Sequence, residues 1–226
     1  MSAVRVDRAP DPAAAEIRIR HLGRSDYEPT WRRMQQFTAE RDEHTVDEIW
    51  FTEHPPVFTM GMNAAPEHLL APGDIEVVNV DRGGQVTYHG PGQLMIYPLV
   101  ALRRAGFGVR DIVTALEQAV IALLADHGVS AICRKNAPGV YVEERKVASV
   151  GLRVRRGASF HGMALNIDMD LEPFQRINPC GYEGLEVTDL RRLGIKDSPE
   201  QLRDALQEHL LEALGMAHRK RVLASD

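Results

Sequence analysis

The pattern of hydrophobic and polar positions changes period several times along this chain, and each change predicts an element. In residues 16–22, Ile17 and Ile19 alternate with Arg18 and Arg20, which predicts a first strand. Residues 27–42 are polar with sparse apolar positions and predict a helix. A short strand over 48–52 runs into His54-Pro55-Pro56, which cannot continue a sheet interior. Residues 77–80 and 94–100 read as further strands, the second apolar enough to be central.

The strongest helix pattern lies between 109 and 127. Val109, Ile112, Val113, Leu116, Val120, Leu123 and Leu124 recur at three- and four-residue spacing, and Gly128 stands where a C-cap belongs. Residues 140–167 alternate again, with Glu143-Glu144-Arg145 and Arg156-Gly157-Ala158 as the turns of a meander. A last helix opens with Ser198-Pro199-Glu200-Gln201, a capping-box pattern with proline at the first helical position. Leu202, Ala205, Leu206, Leu210 and Leu214 give it an apolar face. Strand runs cluster more than strict βαβ alternation allows, so the expected fold class is α/β (α+β), a mixed sheet with helices packed on it.

At 226 residues the chain suits one large domain, expected over 16–217. Residues 1–15 read as a flexible lead-in and 218–226 as a C-terminal tail. A formal net charge of −5 argues against nucleic acid as the main partner. Two basic runs, Arg153-Val154-Arg155-Arg156 and Arg219-Lys220-Arg221, are either solvated edges or landing patches for an acidic protein. No stretch approaches the ~20 apolar residues of a membrane span, and no apolar signal core is apparent, so a cytoplasmic location is expected. In that compartment Cys133 and Cys180 are free thiols.

The most unusual segment is Arg82-Gly83-Gly84-Gln85-Val86-Thr87-Tyr88-His89-Gly90-Pro91-Gly92-Gln93. Its glycines bend the backbone and let N–H groups approach a ligand, while Arg82, Gln85, Thr87, Tyr88 and His89 supply polar and aromatic contacts. An elaborate hairpin loop is the plainer reading. The spacing matches neither a Walker phosphate loop nor GxGxxG. Lys146 enters the apolar run Val147-Ala148-Ser149-Val150-Gly151-Leu152, where lost solvation favours the neutral amine; a solvated hairpin lysine is the alternative. His161 sits beside Gly162 in Ser159-Phe160-His161-Gly162-Met163-Ala164-Leu165-Asn166, which again suggests close approach to the backbone. Cys180, between Pro179 and Gly181, belongs to a tight loop and is a candidate nucleophile if it meets a lysine or histidine. Cys133 reads as a buried small hydrophobe. The two cysteines and the scattered histidines match no metal-ligand spacing, so no metal is expected.

Together these segments resemble the lipoyl(octanoyl) transferases of the biotin/lipoate protein ligase superfamily. The resemblance covers about 54–193 and rests on five motifs in order: His54-Pro55-Pro56-Val57-Phe58-Thr59, the glycine-rich segment, Lys146 with Ser149-Val150-Gly151-Leu152, the 160–166 run, and Asn178-Pro179-Cys180-Gly181. It implies a larger mixed sheet with a second, smaller sheet and flanking helices. It further implies Cys180 as the acyl-bearing nucleophile and Lys146 as its dyad partner. Arg82, Gly83, Gly84, Gln85, Val86, Thr87, Tyr88 and His89 would line the acyl pocket with Ser149, Val150, Gly151, Gly162, Met163 and Ala164, and His161 would support it.

The implied partners are acyl carrier protein as donor, and lipoyl domains of 2-oxoacid dehydrogenase complexes and the glycine cleavage H protein as acceptors. The enzyme would be a monomer without a cofactor, with Arg153, Arg155 and Arg156 as docking residues for the acidic carrier. The nearest rival is an ATP-dependent lipoate or biotin ligase on the same fold. A non-catalytic acyl- or lipoyl-domain-binding module and a cysteine hydrolase using His161 or His89 as base are the others.

Overall fold

A computed structural model describes residues 15–223. Eight strands form the large sheet: β1 (Glu16–Arg24), β2 (Asp47–Glu53), β6 (Gln93–Leu99), β7 (Ile132–Cys133), β8 (Gly139–Val142), β9 (Arg145–Arg155), β10 (Ala158–Asn166) and β11 (Lys220–Leu223). Their order is β11-β1-β2-β6-β10-β9-β8-β7. The pairs of β1 with β2 and with β11 are parallel, and the remaining pairs are antiparallel. A second sheet of three strands, in the order β4 (Glu76–Asn79), β3 (Val57–Met60), β5 (Val86–His89), completes the mixed α/β fold. His54-Pro55-Pro56 is the hinge between β2 in one sheet and β3 in the other, where proline's missing donor ends the ladder.

Alternation decides what covers each face. Ile49 and Phe51 of β2 point to one side and Trp50 to the other, as do Ile96 against Met95 and Tyr97 of β6. The first side packs on α3 (Val109–Asp126) and α4 (Pro199–Ala213), whose apolar stripes form the main core. The second side packs on Tyr27, Trp31 and Met34 of α1 (Tyr27–Glu40). A single turn, α2 (Leu102–Ala105), follows β6.

Both expected caps form. Val129 N–H bonds Leu124 carbonyl and Gly128 N–H bonds Ala125 carbonyl, each at 2.9 Å, with Gly128 at φ +71°, the Schellman arrangement. Ser198 Oγ accepts from Gln201 N–H at 3.2 Å, and Gln201 Oε1 accepts from Ser198 N–H at 2.9 Å. The β9–β10 turn places Arg156 at φ +51° and Gly157 at +78°, the primed geometry that suits a two-residue hairpin.

Some expectations need correction. Val86–His89, inside the glycine-rich segment, is a buried strand and not loop. Residues 220–223, assigned to a tail, add a parallel strand beside β1. The run Arg219-Lys220-Arg221 is not a free patch: Arg219 is buried on Asp47, Lys220 reaches Glu16, and Arg221 pairs with Glu208. Cys133 is exposed, because β7 is a two-residue edge strand paired on one side only. The lead-in over 1–15 falls almost wholly outside the described residues. Among those described, no helix is long and apolar enough to cross a membrane.

Candidate active site

Pro179–Gly181 form a short 3₁₀ turn that carries Cys180 at φ +59° and Gly181 at +78°. A non-glycine residue in the left-handed region is costly and is held there by its surroundings. Asn178 fixes the entry, its N–H bonding His68 carbonyl at 2.8 Å. The turn exposes Cys180 on the wall of a cavity of about 360 Å³, within the size of small-ligand sites.

Lys146 approaches from the sheet. Val140 pairs with Ala148 but Tyr141 pairs with Lys146, so β9 carries one extra residue, a bulge that re-aims the lysine. Its side chain is only 1% exposed, which disposes of the solvated-hairpin reading. Lys146 Nζ lies 3.0 Å from Cys180 Sγ and 5.3 Å from the centre of the Tyr141 ring. The backbone of Lys146 is pinned on both sides, its N–H to Glu186 carbonyl and its carbonyl to Thr188 N–H, each at 2.9 Å. Among the described residues no carboxylate comes within ion-pair distance of Lys146.

The cavity brings together nearly all the expected pocket residues. Arg82, Gly83, Gly84, Gln85, Val86, Thr87 and His89 line it, as do Ser149, Val150, Gly151, His161, Gly162, Met163 and Ala164. Tyr88 does not: it alternates to the opposite face of β5 and packs between Phe58 and Phe174. Gly151 is required where it stands, since a Cβ there would sit 3.0 Å from Arg82 Cδ and 3.2 Å from Gly83 carbonyl.

A buried polar chain stiffens this wall. Arg82 Nη2 donates to Thr59 carbonyl at 2.6 Å and to Thr59 Oγ1 at 2.7 Å. Thr59 Oγ1 donates to His89 Nε2 at 3.2 Å, and His89 Nδ1 donates to Gln93 Oε1 at 2.8 Å. Gln93 Nε2 continues to Asn166 Oδ1 at 2.9 Å. Burial, with His54 nearby, brings His89 down to about 3, so the ring is neutral and both nitrogens are engaged. Arg82 is buried with no carboxylate in ion-pair range among the described residues, and desolvation lowers its pKa.

His161 has its own support. Its φ of +56° undoes the strand alternation and stacks its ring on Phe160, centroids 5.0 Å apart. Asp81 Oδ1 accepts from His161 Nε2 at 2.9 Å and from Trp31 Nε1 at 2.8 Å, while Oδ2 accepts from Gln35 at 3.2 Å. Burial acts to raise the Asp81 carboxyl, but these hydrogen bonds outweigh it and hold it at about 2. Burial lowers His161, leaving a neutral ring whose Nδ1 has no partner among the described residues.

Sequence reasoning missed Asp81 and the cavity-lining Tyr27, Tyr97 and Tyr182, and gave Thr59 a place in a motif but no role. Tyr182 carried a signal, two residues after Cys180; its hydroxyl donates to Asn136 carbonyl at 3.2 Å, and both residues line the cavity. Among the described residues no group of three or more His, Cys, Asp or Glu side chains could hold a metal ion.

The lipoyl protein ligase A/B catalytic domain matches residues 26–211. This chain belongs to that family. An octanoyltransferase of Alkalilimnicola ehrlichii is 58% identical over 205 residues, 91% of this chain and 95% of the relative. One from Shewanella piezotolerans is 56% identical over 89% of this chain and 92% of its own. Among solved structures, a lipoate-protein ligase A bound with ATP shares the family's fold at TM-score 0.75 and 16% identity, covering 93% of this chain and 88% of that one. A lipoate protein ligase of Thermoplasma acidophilum with bound lipoic acid aligns at TM-score 0.71 and 16% identity, over 93% and 90%. The family and the names of its relatives place the chain among acyl-transferring enzymes.

Proposed function

We propose that the chain transfers an octanoyl or lipoyl group from acyl carrier protein to the lysine amine of lipoyl domains, through a thioester on Cys180. The observation that carries this reading is the 3.0 Å contact between Lys146 Nζ and Cys180 Sγ at a cavity wall. The octanoyltransferase name of relatives above half identity supports the acyl group.

In the first half-reaction the Cys180 thiolate attacks the carrier's thioester carbonyl. The C–S bond to the pantetheine arm breaks, and the departing sulfur takes a proton from Lys146. One thioester replaces another, so no ATP or cofactor is needed. In the second half-reaction the acceptor amine attacks the Cys180 thioester, and Lys146, now neutral, takes the amine's proton as the C–N bond forms. Cys180 leaves as thiolate. One lysine thus serves as acid and then as base, the division expected of ping-pong acyl transfer.

The ligase alternative draws on the fold likeness to an ATP-bound lipoate-protein ligase, which at 16% identity speaks to fold alone. A hydrolase with His89 as base is disfavoured by the engagement of both its ring nitrogens. The test is intact-protein mass spectrometry after mixing with octanoyl-acyl carrier protein without ATP. Wild type should gain one hydroxylamine-labile octanoyl group and pass it to a lipoyl domain, and Cys180→Ser should gain none. Transfer appearing only with ATP and free acid would move the assignment to the ligase.

A further inference from the structure

One buried carboxylate beside the dyad has no part in the scheme above. On α3, Val109, Val113 and Glu117 lie four residues apart and so share a face. The two valines line the cavity; Glu117, one turn further along, is buried. Its Oε1 accepts a hydrogen bond from Gly139 N–H at 2.8 Å, and it forms no ion pair among the described residues. A lone carboxylate in an apolar helix face is costly unless an opposite charge lies near. The nearby cation is Lys146: burial raises the Glu117 carboxyl, while Gly139 N–H and the Lys146 charge pull it back down.

Gly139 couples the two. At φ +137°, it packs so tightly that a Cβ would fall 2.5 Å from Lys146 Cε and 2.3 Å from Ala148 carbonyl. Glu117, the Gly139 backbone and the Lys146 stem therefore form one stack behind Cys180.

We propose that Glu117 is a positioning residue of the dyad, holding Gly139 against the lysine stem and supplying the negative charge that keeps the Lys146 ammonium beside Cys180. Its meaning for turnover rests on the acyl-transfer reading; the electrostatic claim does not. The other charged or titratable groups near the stack are Tyr141 of β8, Arg134 over the Tyr141 ring, Cys180, and Arg82 across the cavity. From α4, His209 pairs with Asp126 at the opposite end of α3. Removing a negative charge favours proton loss from every neighbour, so thiol and ammonium should both titrate at lower pH without it.

The experiment is the pH profile of Cys180 alkylation by iodoacetamide in a Cys133→Ser background, for Glu117 and Glu117→Gln. Glutamine keeps an oxygen for Gly139 N–H and removes only the charge. The acid limb should move down by about half a pH unit, roughly threefold in rate at a fixed pH on that limb. Superimposed profiles from two folded proteins would overturn the proposal. Should Glu117→Gln fail to fold, Glu117→Ala is read on the same profile, with the Gly139 acceptor removed together with the charge. Alkylation needs no acyl substrate, so a missing thioester in wild type would defeat the acyl-transfer reading while leaving Glu117 to be decided by the profiles.

Discussion

Two buried clusters of charge in this protein are built on opposite plans. At the α1–β2 corner, the fully buried Asp47 carboxylate receives Arg41 at 2.7 Å, Arg104 at 2.7 Å, Arg219 at 2.9 Å and the Ala101 N–H at 2.8 Å. Oδ1 takes three of these donors and Oδ2 the fourth, from Arg219. At the cavity, Lys146 and Arg82 are just as buried, yet neither meets a carboxylate at ion-pair distance among the described residues. Lys146 instead faces a thiol, and Arg82 a hydroxyl and carbonyls. Charge that serves the fold is closed off by partners. In the proposed reaction the Lys146 charge is instead kept open to a thiol that changes its protonation.

The comparison breaks most directly at Lys146. Lys146→Met should cut octanoyl transfer by about 10²–10⁴-fold while lowering the melting temperature only slightly, because the buried Glu117 carboxyl that loses its nearby cation can take up a proton. Transfer that survives the substitution would make the lysine structural. Asp47→Ala should do the reverse. Stranding three cations ought to lower unfolding free energy by about 3–5 kcal/mol, with turnover per folded molecule preserved. Denaturant melts read alongside single-turnover rates would separate the two, and a small stability loss would show that the closed cluster is not what secures that corner.

A smaller effect sharpens the picture through pH. Burial pushes His54 down to about 4 and His89 to about 3, against 6.5 for an exposed imidazole. Both therefore stay neutral in the fold while the unfolded chain gains protons below pH 6.5. Their contribution to stability is fully present above that value and falls away as pH drops towards about 4. The slope should approach ~1.4 kcal/mol per pH unit for each histidine. Thermal melts from pH 7 to 4 should show it, and His54→Gln should flatten it; an unchanged slope would mean that His54 is not kept neutral by burial.

Period and capping made much of this legible in advance. The alternation of Ile17 with Ile19 marked β1, and Gly128 and the Ser198-Pro199-Glu200-Gln201 box marked the relevant ends of α3 and α4. Motif chemistry marked Cys180 and Lys146, yet 34 residues of chain could not say that they touch. That contact depends on a β-bulge and on a left-handed cysteine, neither of which leaves a periodic trace. β5 was hidden because its flanking glycines look like loop, and β11 because a basic, half-exposed edge strand has no apolar run. Asp81 and Glu117 escaped for a different reason. Each takes its role from partners far along the chain, Trp31 and His161 for one and Gly139 for the other.

The closed cluster also sets an order of assembly. Arg219 is synthesised 172 residues after the Asp47 it covers. The strand beyond it, β11, pairs with β1 and forms the edge of the sheet. A nascent chain can bring Lys146 and Cys180 out together and still lack one of the three arginines that hold the Asp47 carboxylate. Cys180 is thus made before the last arginine of that cluster, and translation pausing ahead of residue 219 would leave the proposed nucleophile on an unfinished fold.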